Sequence, residues 1–72
     1  MERYANHSGK SGVAGFEITA DSITVVFRDG SRYLYTVASA GRPNISTMHM
    51  LAQAGSGLNS FINKYVKTLY VK

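Results

Sequence analysis

Val25-Val26-Phe27-Arg28-Asp29-Gly30-Ser31-Arg32-Tyr33-Leu34-Tyr35 is the stretch that most constrains the fold. β-Branched and aromatic residues stand on both sides of an Asp-Gly pair, the composition of two strands folded back on a tight turn. The register of that turn decides which side chains share a face. A two-residue loop of Asp29-Gly30 sets Val26 opposite Tyr33 and groups the tyrosines with Thr24, Val26 and Arg28. A three-residue loop, Arg28-Asp29-Gly30 with Gly30 as the bulge residue, sets Val25 opposite Tyr33 and Ile23 opposite Tyr35. The second register separates apolar from polar better and is preferred. It gathers Ile23, Val25, Phe27, Tyr33, Tyr35 and Val37 on one face and leaves Val26, Arg28, Arg32, Leu34 and Thr36 on the other.

The flanking sequence extends the hairpin into a meander. Val13 to Thr19 alternates Phe16 and Ile18 with Glu17 and Thr19, the period of a half-buried strand. Gly15 inside it suggests a bulge. Asp21-Ser22 supplies turn chemistry, Ile23 to Arg28 forms the second strand and Ser31 to Val37 the third. Residues 1–12 (MERYANHSGKSG) show no apolar period and read as a flexible arm. Arg3 and Lys10 give that arm a positive character.

After the strands the period changes. Ala38 to Asn44 reads as a loop broken by Gly41-Arg42-Pro43. A helix capped by Asn44 or Ser46 should run to about Ala54, with Ile45, Met48, Leu51 and Ala52 inward and Gly55 closing it. Ser56 starts a second helix, in which Leu58, Phe61, Ile62 and Tyr65 fall on one stripe. Thr68 to Lys72 alternates again and could finish the second helix or add a short strand beside the sheet, the strand being preferred. The expected fold is a single α+β domain over residues 13–72. A three-stranded antiparallel meander is followed by two short helices packed on one face, with room for a final strand.

Composition narrows the functional classes. The chain has 72 residues, no cysteine and a formal net charge of +4. Disulfides and thiolate metal sites are excluded. No apolar run approaches the ~20 residues of a membrane span, and the N-terminus lacks a signal-peptide core, so the expected location is cytoplasmic. The basic balance suits a polyanion or an acidic protein surface.

Several motifs line up in order. Gly15-Phe16-Glu17 follows a Ser11 start, and Ile23, Val25 and Phe27 lead into Asp29-Gly30. Tyr33-Leu34-Tyr35 makes a Tyr-x-Tyr, and Ala54-Gly55-Ser56-Gly57 precedes Asn59, Ile62, Lys64 and Tyr65. This order, over about Ser11 to Tyr65, resembles the KTSC domain. That small module stands alone in bacterial and phage proteins and is appended to some lysyl-tRNA synthetases. The family has no established activity, so the resemblance implies no particular reaction, and its attachment to a synthetase suggests RNA binding. The chain departs from the family at Leu34, where a polar residue is usual, and in the loop Val37 to Pro43.

The residues offer little for catalysis. Glu2, Glu17, Asp21 and Asp29 form no local acid–base pair, and His7 and His49 are far apart. No cofactor or metal is expected. His49 reads as a helix surface or boundary residue. Ala54-Gly55-Ser56-Gly57 reads as a helix–helix turn more simply than as a phosphate loop. Binding is therefore the expected function. Arg28, Arg32, Arg42, Lys64 and Lys67 are the candidate phosphate contacts. Tyr33 and Tyr35 would be stacking platforms if they faced outward and core residues if inward, the preferred reading. A nucleic acid, RNA in particular, is the leading partner. An acidic protein surface is the alternative, with the chain as an interaction module or an inhibitor of a host machine of the phage anti-CRISPR type. An exposed strand edge and a low charge content also allow a homodimer.

Overall fold

The computed structural model describes residues 2–7, 9 and 12–71. Lys10, Ser11 and Lys72, named above, lie outside them. Four strands form one antiparallel sheet in the order β1-β2-β3-β4: β1 (Glu2–Arg3), β2 (Val13–Thr19), β3 (Ser22–Phe27) and β4 (Arg32–Thr36). The helical half follows: α1 (Val37–Ala40), α2 (Arg42–Ala54) and α3 (Leu58–Phe61), which continues as a π-helical segment, Ile62–Val66. The α+β class stands as expected, but the sheet has four strands rather than three.

The central hairpin takes the three-residue loop. Phe27 N–H donates to Ser31 O (2.9 Å) and Gly30 N–H to Phe27 O (3.0 Å), which encloses Arg28-Asp29-Gly30. Gly30 sits at φ 90°, the left-handed conformation that the bulge position requires. The Asp29 carboxylate accepts from the backbone N–H of Ser31 (2.9 Å) and from its hydroxyl. Ladder pairs then run Val26–Arg32, Val25–Tyr33, Thr24–Leu34, Ile23–Tyr35 and Ser22–Thr36. Ile23, Val25 and Tyr35 are buried to 0–1% exposure, so the tyrosines face inward with them.

A bulge in β2 settles the first strand. The register shifts between Val13 and Gly15, so Ala14 is the extra residue. Without it, the strict two-residue period would send either Val13 or Phe16 to solvent. With it, both are buried.

The fourth strand comes from the segment read as an arm. Glu2 pairs with Phe16 and Arg3 with Gly15. Tyr4 follows them into the core at 3% exposure, and its hydroxyl accepts from Leu58 N–H at 3.2 Å. His7 N–H donates to Gly55 O at 2.8 Å. The N-terminal segment thus straps the turn between α2 and α3 to the sheet. Two residues of edge pairing plus one buried tyrosine give no periodic signal, which is why the sequence pattern hides them.

Among the described residues, Thr68 to Val71 do not form the expected strand at the other end. The tail makes one ladder-like bond, Val71 N–H to Leu34 O (2.7 Å), and Leu69 N–H turns back to Val66 O. Tyr70 instead packs edge-on against Tyr33 and Tyr35, with ring centroids 4.9 and 6.3 Å apart.

The helices begin earlier than the breaker residues imply. Thr36 and Ser39 form a reciprocal capping box that starts α1 at Val37, the expected end of the third strand, and carries it into the expected loop. Gly41 then caps α2, with Pro43 in its first turn, where proline's missing N–H costs nothing. Asn44 Nδ2 donates to Ala40 O (2.8 Å) rather than capping α2. Ile45, Met48 and Ala52 face the sheet. His49 Nε2 lies 2.8 Å from Ser22 O and ties α2 to β3. Gly57, not Ser56, precedes α3 as its cap. In α3 and the π segment the buried stripe is Leu58, Ile62 and Val66, while Tyr65 is 62% exposed.

Candidate nucleic-acid interface

The helices pack on one side of the sheet, against β3 and β4. The opposite face carries the outward half of each strand. One row crosses all four strands: Arg3, Gly15, Val26 and Arg32, each the ladder partner of the next. At about 4.8 Å between strands, the two arginines stand roughly 14 Å apart over a floor of small residues. The adjoining row is Glu17, Thr24 and Leu34, and the next Thr19, Ser22 and Thr36. Arg28 closes the hairpin end. Its backbone N–H donates to Gly12 O (2.8 Å), and it lines a shallow depression with Arg3, Tyr4 and Ala14.

Arg28 and Arg32 are therefore exposed near one end of the sheet, with Arg3 joining them. Among the described residues none of the three forms an ion pair with a carboxylate; the pair present is Arg42 with Asp21, 3.4 Å apart and largely exposed. Asp29 lies between Arg28 and Arg32 in sequence, yet its carboxylate is turned to Ser31. The Ser31 hydroxyl first, then its backbone N–H, hold Asp29 below the usual carboxylate range. No period in residues 1–12 marks Arg3 as part of the sheet; only its ladder position opposite Gly15 places it on this face.

The other candidates separate. Arg42 lies beside the β2–β3 turn with Asp21 and away from the hairpin tip. Lys64 and Lys67 are exposed on and just after the π segment, in the helical layer. Tyr33 is half-buried and packs edge-on against Phe27 (centroids 5.5 Å) and Tyr70. Tyr35 is 1% exposed. Burial pushes its hydroxyl up to about 12, with the neighbouring Tyr33 and Tyr70 hydroxyls adding to the effect. Neither ring offers a free face on the outer side of the sheet.

The charge distribution along the chain is one-sided. All four carboxylate side chains fall at Glu2, Glu17, Asp21 and Asp29, and from Gly30 to Lys72 there is no Asp or Glu. Among the described residues, no three His, Cys, Asp or Glu side chains come together as a metal site would need. No helix among them is long and apolar enough to cross a membrane. No protein-family model, curated protein or solved structure matches the chain.

Proposed function

We propose that the chain is a non-catalytic binding module that takes nucleic acid, RNA by preference, on the outer face of its sheet. The observation that carries this reading is the sheet face away from the helices, on which Arg3, Arg28 and Arg32 are exposed without a carboxylate partner among the described residues. Exposed guanidiniums over a floor of glycine, alanine and valine let a phosphate backbone approach closely and pair with several cations at once. Arg28 and Arg32 are the principal contacts. Arg42, already paired with Asp21, is secondary, and Tyr33 and Tyr35 serve by holding the hairpin rigid. The resemblance of the motif order to the KTSC domain is in keeping with this reading, which takes the module to act in the cytoplasm.

The test is fluorescence anisotropy with a labelled twelve-nucleotide RNA at low salt, comparing the native chain with Arg28→Ala/Arg32→Ala. The reading expects binding that weakens by about tenfold or more in the double variant. No binding at low salt would overturn it.

One observation favours a second reading as a protein-interaction module. Phe27 and Ser31 are a bonded pair, so by alternation Arg32 and Leu34 turn their backbone groups to the free edge of β4. Val71 takes the Leu34 carbonyl, and a partner strand or a second copy could extend the rest. Light scattering that shows a dimer, together with no affinity for RNA, would favour this reading.

A further inference from the structure

Tyr65 stands where the helical stripe calls for a core residue. In an uninterrupted α-helix it would share the face of Leu58 and Ile62. The π-helical segment Ile62–Val66 widens the last turn, and Val66 takes the buried position at 0% exposure. Tyr65 is left 62% exposed, a large ring in water on a small domain. The ring is not loose. Phe61, half-buried against the core, braces it with centroids 5.0 Å apart and planes tilted by 40°. Lys64 and Lys67 flank it in sequence, both exposed, in a part of the chain that has no acid. A braced aromatic ring beside exposed cations is the arrangement by which single strands are held without regard to sequence.

We infer that Tyr65 is a stacking platform for one unpaired base of single-stranded nucleic acid, with Lys64 and Lys67 on the adjoining phosphates. The inference rests on the nucleic-acid reading above and narrows it. A base inside a duplex has no free face to give Tyr65, so the ligand at this site is single-stranded. Tyr65 lies in the helical layer and the arginines on the opposite side of the sheet, so the two sites are tested separately.

The chain contains no tryptophan, so Tyr65→Trp supplies a single reporter at the site. The probes are a twelve-nucleotide oligouridylate, an RNA duplex of the same length and inorganic polyphosphate. Oligouridylate should quench the indole emission of the Tyr65→Trp variant saturably, whereas polyphosphate should bind without quenching it. Tyr65→Ala should weaken oligouridylate binding about tenfold, with Tyr65→Phe close to native and duplex and polyphosphate affinities unchanged. The thermal midpoint of Tyr65→Ala, compared with the native chain, checks that the exposed substitution leaves the fold intact. Unchanged oligouridylate binding in Tyr65→Ala, with binding lost in Arg28→Ala/Arg32→Ala, would overturn the platform and leave the outer-face reading standing. Binding lost in Tyr65→Ala but kept in the arginine variant would support the platform and overturn the outer face. No binding of any nucleic acid would overturn both.

Discussion

Gly55→Ala tests whether the N-terminal segment is a structural strap. Gly55 has φ 76°, and a Cβ built there would lie 2.6 Å from the Ala5 Cβ and 3.0 Å from His7 Cδ2. Ordinary carbon contacts begin near ~3.5 Å, so the strap would have to retreat by roughly an ångström. That movement breaks the 2.8 Å bond from His7 N–H to Gly55 O. Left-handed alanine costs about 1–2 kcal/mol and the lost hydrogen bond about 1 kcal/mol more, so the substitution should cost about 2–3 kcal/mol. Gly30→Ala is the control, because Gly30 has φ 90° with nothing within 4 Å of the added Cβ. It should show the backbone cost alone, about 1–2 kcal/mol. Urea unfolding followed by far-ultraviolet circular dichroism would read both, the Gly55 variant falling below the Gly30 variant by about 1 kcal/mol. Ala5→Gly in the Gly55→Ala background removes the facing Cβ and should recover part of the deficit. Equal losses at the two glycines, with no recovery from Ala5→Gly, would refute the strap.

Two further predictions concern buried tyrosines. Tyr4→Phe removes the acceptor for Leu58 N–H and should cost about 1–2 kcal/mol, lowering the thermal midpoint by ~4–8 °C per kcal/mol. Amide exchange at Leu58 should accelerate in that variant, and unchanged exchange would contradict the bond. Tyr35, held up to about 12 in the folded chain against an ordinary value near 10, stays protonated there while the unfolded chain ionises. Its contribution is therefore complete below pH 10 and is lost as pH rises towards 12. The full loss is about 2–3 kcal/mol, and thermal melts between about pH 8 and 12 should show it. Tyr35→Phe should flatten that part of the profile, and an unaltered profile would show that Tyr35 does not contribute to it.

The sequence disclosed the parts of the fold that repeat a period. Ile23, Val25, Tyr33 and Tyr35 alternate cleanly around Asp29-Gly30, and the better segregated register is the one observed. Ile45, Met48 and Ala52 likewise declare the inner side of α2. What remained hidden depends on single contacts. Glu2 and Arg3 make a strand only because the β2 edge lies beside them, and Tyr4 packs into the core with its hydroxyl accepting from Leu58 N–H, a contact 54 residues away in sequence. Gly41-Arg42-Pro43 reads as a breaker, yet proline in a first turn starts a helix as readily as it ends one. The π segment inverts the roles of Tyr65 and Val66, because a helical wheel drawn at about 3.6 residues per turn does not allow for the widened turn.

The candidate site was legible in the same partial way. Arg28 and Arg32 follow from the hairpin register, because the residues alternating with a buried face must point away from it. Arg3 required knowledge of β1, and the separation of Arg42 from that group required the Asp21 pairing. Tyr33 and Tyr35 are ambiguous in the sequence because a slip of one residue swaps the faces, and the observed register turns both inward.

The salt dependence of RNA binding tests the central claim most directly. Each phosphate contact on a single strand contributes about −0.7 to the slope of log K against log salt concentration. If Arg3, Arg28 and Arg32 each hold a phosphate, the slope should be about −2 or steeper, and Arg28→Ala/Arg32→Ala should make it shallower by about 1.4. A slope that the two substitutions leave unchanged would show that nucleic acid does not bind on the outer face of the sheet.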